Sequence, residues 1–189
     1  MQLNPGRLDW LLTPAFEDGN LPPSSFGKLD EGLALYKELF MPWLGARRDL
    51  VATRAAFGLI AVIAAPDADA TYAKLADLVP SVRYDRKNAS EVFYRVNRPK
   101  ESRVAPGIEL NRLTTWSSAR SLTYISAPGV VVPTGTDIVP TPGGHLVRCE
   151  CDNSTPATAS EPLKSELLVP LFEELSDMAA ENASKGEIP

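Results

Sequence analysis

The chain has 189 residues, of which 44 % are hydrophobic and 23 % charged, and a net charge of -5. That length fits one medium-sized domain able to bury about 70 % of its unfolded surface, and the composition is that expected of an ordinary soluble globular protein. The negative balance counts against general nucleic-acid binding, which draws its affinity from Lys and Arg neutralising phosphates.

The first residues, with Pro5 and Asp9, lack the basic stretch and apolar run of an export signal. Two cysteines without such a signal point to free thiols in a reducing compartment, so a cytoplasmic location is expected. The Asn-x-Ser/Thr triplets at Asn88, Asn153 and Asn182 then read as chance.

Residues 1–25 are rich in turn formers and read as an irregular arm with one apolar anchor between Leu8 and Leu12. A helix follows, capped by Ser25, with Leu29, Leu33, Tyr36 and Phe40 recurring on one face and Pro42 and Gly45 closing it. The run 51–65 is apolar on both faces and contains Arg54, so it falls short of the roughly 20 residues that cross a bilayer. Gly58, Ile60, Val62 and Ile63 favour a buried strand over 55–63, against an alanine-rich helix beginning after Asp49. Asp67 or Asp69 caps a second helix with a stripe of Tyr72, Leu75, Ala76 and Val79, stopped by Pro80.

Alternation of Val92, Tyr94 and Val96 with Glu91, Arg95 and Asn97 predicts a half-buried strand, and Ile108 to Trp116 predicts another. A further short strand is expected over 121–126, then a long Pro/Gly-rich loop at 126–144 holding four prolines and four glycines. The final helix, about 163–184, turns Leu167, Leu171, Leu175 and Met178 inward; Ser160 or Ser165 begins it, Pro170 should kink or shorten it, and Gly186 ends it. The expected class is α+β: one domain over 26–185, a mainly antiparallel sheet packed by N-terminal, middle and C-terminal helices. The β–α–β stretch 55–98 fits a split unit of the ferredoxin-like kind.

The stretch His145 to Asp152 holds the chain's one histidine and both cysteines. As a strand it places His145, Val147, Cys149 and Cys151 on one face, with His145 roughly 13 Å from Cys149 and the two cysteines about 6.6 Å apart. Neither a zinc site nor a cysteine–histidine nucleophile fits that spacing, and a disulfide fits it badly unless the strand bulges at Glu150. No nucleophile elbow, phosphate loop or dinucleotide fingerprint occurs. The acidic pair in "DADA" (67–70) is explained by helix capping.

Charge is unevenly spread: residues 83–120 carry nine Lys/Arg against four Asp/Glu, and residues 150–189 two against nine. The simplest account folds the acidic end back on the basic middle. The best ligand-site candidate is Arg95, Arg98 and Arg112 with Tyr94 and Trp116, a set able to grip a phosphate or carboxylate and stack on a ring. No metal or cofactor is implied. Since enzyme motifs are missing, the leading reading is a non-enzymatic binding or accessory module working through a protein–protein interface, with a protein partner or a second copy of itself. The rival is a binder of, or enzyme on, a small anionic ligand held by the arginine cluster.

Overall fold

The computed structural model describes residues 2–4, 6–12, 26–123, 141–157 and 161–187. Within the arm, β1 (Gln2–Asn4) and β2 (Arg7–Asp9) pair antiparallel around Gly6, which has the positive φ that favours glycine. The apolar anchor is Trp10, whose ring meets Tyr36 at 5.8 Å and Phe40 at 5.3 Å. Residues 13–25 of the arm, with the proposed Ser25 cap, lie outside the described residues.

Helix α1 (Leu29–Gly45) runs through Pro42 and closes at Gly45. Its first turn is held by the Glu31 carboxylate, which accepts the Lys28 N–H at 3.1 Å. The ambiguous run becomes β3 (Ala56–Ala65), a strand and not a helix. It is apolar on both faces for two different reasons. Phe57, Leu59 and Ala61 join the core, whereas Ile60 and Val62 point away from it and stay exposed. The expectation of a buried strand therefore holds for one face only. Asp67 caps α2 (Ala68–Leu78), accepting the Ala70 N–H at 2.8 Å, as the acidic pair predicts.

β4 (Phe93–Asn97) is followed by the two-residue β5 (Lys100–Glu101). The two strands expected from Ile108 to Ser126 form one, β6 (Glu109–Thr123), because no turn interrupts Ser117 to Arg120; residues 124–126 lie outside the described set. β7 (Thr141–Ser154) already includes Thr141 to Gly144, so the Pro/Gly-rich stretch ends sooner than expected, and its part from 126 to 140 lies outside the described residues. Helix α3 (Ser165–Lys185) continues past Pro170, which sits near its start, costs one ladder bond there and does not end it. Lys164 stands at its N-cap, and Gly186 at φ 83 ends it as expected.

The sheet order is β3-β7-β6-β4, with β5 added against β6, and every pairing is antiparallel. β3 and β4 thus occupy opposite edges, antiparallel and separated by two strands. A split β–α–β unit needs parallel strands with one strand between them, so that expectation is corrected: α2 carries the chain from one edge of the sheet to the other. The three helices of the described residues lie on one side. α3 covers β7, β3 and β6, α2 also meets β7 and β6, and α1 packs beside α3. The result is a single-domain α+β fold, with three helices and a five-stranded antiparallel sheet among the described residues. No helix among the described residues is long and apolar enough to cross a membrane.

The core is the helix-side face of the sheet: Trp116, Leu110, Val147, Cys149 and Cys151 against Leu168, Leu171, Leu175, Met178 and Ala179 of α3. The inward stripe begins one residue later than predicted, since Leu168 is buried and Leu167 only half-buried. Leu175 has no exposed surface. Replacing it by Ala leaves a cavity the surrounding sheet cannot fill, so Leu175→Ala should lower unfolding free energy by about 3 kcal/mol, read as a shifted urea midpoint at unchanged slope.

Candidate functional site

Strand register sorts the predicted arginine cluster. Tyr94 pairs with Trp116 and Arg95 with Thr115, so Tyr94 and Trp116 share the helix-covered face and Arg95 lies on the opposite one. Arg112 pairs with Asn153 on the covered face. Arg98, just past the end of β4, donates its N–H to the Arg112 carbonyl at 3.1 Å. Four of the five candidates therefore converge at one end of the sheet, and Arg95 does not.

The anion at their centre belongs to the chain. The Glu187 carboxylate, with a side chain 5 % exposed, forms an ion pair with Arg98. It also accepts the Tyr94 hydroxyl at 2.8 Å and the Ser81 N–H at 3.2 Å. Its backbone is fixed too, since the Glu187 N–H donates to the Leu78 carbonyl at 2.7 Å. Gly186 makes this approach possible: its φ is 83, and a Cβ there would overlap the Leu78 backbone. Burial pushes the Glu187 carboxyl up, but the bonds from Ser81, Arg98 and Tyr94 outweigh it and hold the group at about 2. Beside it remains a cavity of about 10 Å³ lined by residues that include Arg112, Thr114, Trp116 and Asn182, room for about one water. Trp116 is 1 % exposed and acts as a core side chain, not as a stacking surface for a ligand.

A second carboxylate works the same way. Glu174 of α3 is buried and accepts the Ser102 hydroxyl at 2.7 Å, the Arg103 N–H at 2.9 Å and Arg103 Nε at 3.1 Å. Burial raises its pKa, and these bonds bring the net shift below the ordinary carboxylate value. The acidic C-terminal helix thus does fold back on the basic middle of the chain, through Glu174–Arg103 and Glu187–Arg98.

The cysteine strand follows its predicted alternation: Val147, Cys149, Cys151 and Asn153 are buried, while Arg148, Glu150 and Asp152 face the other way. The ladders from β7 to both neighbours run unbroken past Glu150, so no bulge forms there; the one irregularity lies between Arg120 and Leu122. Both thiols are free, with their sulfurs 3.7 Å apart, and Cys151 Sγ lies 3.8 Å from the Ala179 carbonyl. The hydrogen bond with Cys151 and burial push the Cys149 thiol up, away from the thiolate a nucleophile needs. His145 pairs with Ala65 four residues from Cys149, beyond reach of it. Among the described residues no group of three His, Cys, Asp or Glu is placed to hold a metal ion. Asn153 and Asn182 are buried, which removes both as sugar acceptors.

What remains accessible among the described residues is the sheet face that none of their helices covers. Phe93 is 66 % exposed, Ile60 59 % and Val62 42 %. Between them Arg95, Glu150 and Asp152, with Phe93, Leu113 and Thr115, line a shallow cavity of about 160 Å³. Sequence reasoning missed this surface. Its signal was the apolar outer row of β3, which periodicity alone assigns to a core. Compared with known proteins, the chain matches no family model, no curated protein and no solved structure.

Two outcomes follow from the buried groups. The Glu187 carboxyl is depressed in the folded state, so its stabilisation is present above the unfolded carboxyl pKa of about 4.3 and lost as pH falls through 2. Urea unfolding should show Glu187→Gln about 2 kcal/mol less stable than wild type at pH 7, with the gap narrowing steadily below pH 4. A disulfide-exchange reagent should find two thiols in denaturant and scarcely any in the native protein; one or none in denaturant would reveal a disulfide.

Proposed function

We propose that this chain is a non-enzymatic binding module that acts by gripping another polypeptide. The reading rests on one observation: large apolar side chains at Ile60, Val62 and Phe93 stand exposed on a sheet face that no helix of the described residues covers. Exposed Ile, Val and Phe on ordered strands mark interaction surfaces, because leaving them in water forgoes their burial energy. The groups with chemical potential support the same reading. Both thiols are in the core, and Arg98 is matched by Glu187. Free thiols suit a reducing compartment, and a cytoplasmic setting fits them.

A small anionic ligand is the second reading. It is favoured by the carboxylate cradle of Ser81, Tyr94 and Arg98, which an incoming phosphate or carboxylate would have to take from Glu187. The two readings part experimentally. A photoreactive residue at position 60, 62 or 93 should give discrete polypeptide adducts, while one at the exposed Asp69 of α2 should give none. Absence of adducts from all three positions overturns the binding-module reading. A thermal-shift screen with nucleotides, sugar phosphates and dicarboxylates should leave the melting temperature unmoved, and a large ligand-specific rise would favour the anion.

A further inference from the structure

β3 is an edge strand, and no strand among the described residues pairs with its outer edge. Ala55 directs its backbone toward β7, taking the Thr155 N–H at 2.9 Å and giving its own to Thr155 Oγ1 at 3.0 Å. Alternate residues of an antiparallel strand turn their polar backbone groups to opposite sides. Ala56, Gly58, Ile60, Val62 and Ala64 therefore aim theirs away from β7, and among the described residues no hydrogen bond reaches them. Edge strands are normally protected by a charge, a proline or a bulge. β3, AFGLIAVIAA, has none of these, and its ten-pair ladder to β7 has no register shift.

The helix layer above this edge is apolar too. On α1, Tyr36 rests on Phe57 of β3 with ring centroids 5.0 Å apart, and Lys37 reaches Asp177 of α3 at 2.7 Å. At 3.6 residues per turn, Leu35 and Leu39 lie about 160° around the helix from Lys37. They face away from α3, on the flank where β3 shows its outer edge, and they are 36 % and 46 % exposed. The large exposed apolar side chains of these two elements are thus Leu35, Leu39 and Ile63 on the helix side of the edge and Ile60 and Val62 on the uncovered side.

We propose that a second copy of this chain occupies that flank, extending the sheet by antiparallel β3–β3 pairing while the two α1 helices meet above it. The proposal rests on the binding-module reading and names its partner. A strand edge whose ten outward polar groups have no partner among the described residues is completed by another strand. This one is suited to its own copy: with the two-fold axis at Ala61, Ile60 stands opposite Val62 of the second copy on one face and Leu59 opposite Ile63 of the second copy on the other. No charge meets a like charge anywhere along the strand pair, because β3 carries none. A two-fold axis normal to the sheet keeps both helix layers on the same side, so Leu35 and Leu39 face their counterparts. Two layers, rather than a strand alone, bring the contact toward the roughly 1,200–2,000 Å² of a stable interface.

Light scattering on the full chain during size exclusion should give twice the 20.5 kDa monomer mass. Ile60→Pro removes an N–H that β7 does not use, and Leu39→Glu charges the helix layer; each should yield the monomer mass with native far-UV circular dichroism. Lys100→Ala, on β5 across the sheet from β3, should remain dimeric. A wild-type chain that is monomeric at 100 µM, or variants at positions 39 and 60 that stay dimeric, would overturn the proposal. So would adducts from position 60 that contain only other polypeptides, although these would leave the binding-module reading standing. No adducts at all would sink both.

Discussion

The contact between α3 and the central β6–β7 hairpin is what the rest of the fold hangs on. A sheet with apolar side chains on one face must cover that face, and α3 supplies most of the cover. Leu168, Leu171, Leu175, Met178 and Ala179 lie over Val147, Cys149, Cys151 and Trp116. Asn153 reinforces the contact by donating to the Leu175 carbonyl at 2.9 Å, and Asn182 by donating to Thr114 at 2.8 Å. These bonds fix the angle and height at which the helix sits, where apolar packing alone allows sliding. α1 and α2 then take the places left on either side of α3.

Two buried carboxylates tie down what the apolar contact leaves loose. Glu174 ties the loop at Ser102 and Arg103 to the middle of α3, and Glu187 ties the end of α3 to the start of the chain segment after α2. Each is satisfied by several donors, which is the condition under which a buried carboxylate is tolerated. The uneven charge along the sequence is thereby used inside the fold: the basic strands and the acidic helix are the two sides of these contacts.

The arginine cluster illustrates how far a pattern reaches. Alternation correctly puts Arg95 and Asn97 on one face and Tyr94 and Val96 on the other. It does not say that the face carrying Tyr94 is roofed by a helix whose last turn brings Glu187 into the cradle. That pairing spans 89 residues and depends on the path of α3. The apolar outer row of β3 misleads for a related reason. Ile60 and Val62 look like core in any local window, and only the position of β3 at the sheet edge, with the described helices on the other side, leaves them in water.

The kind and order of the main elements, the cap at Asp67, the stop at Gly186 and the inward row of the cysteine strand were legible in the chain alone, because these depend on neighbours within a few residues. The sequence also excluded a histidine–cysteine site, since the rise of a strand keeps His145 away from Cys149. Tertiary structure decided the rest. It merged two expected strands into β6, set β3 and β4 on opposite edges, carried two helices past their prolines, filled the arginine cradle with Glu187 and left Ile60 and Val62 exposed. The reason is common to all five. Each outcome depends on which surfaces far apart in the chain bury one another, and that is an energy shared between elements, not stored in any one of them.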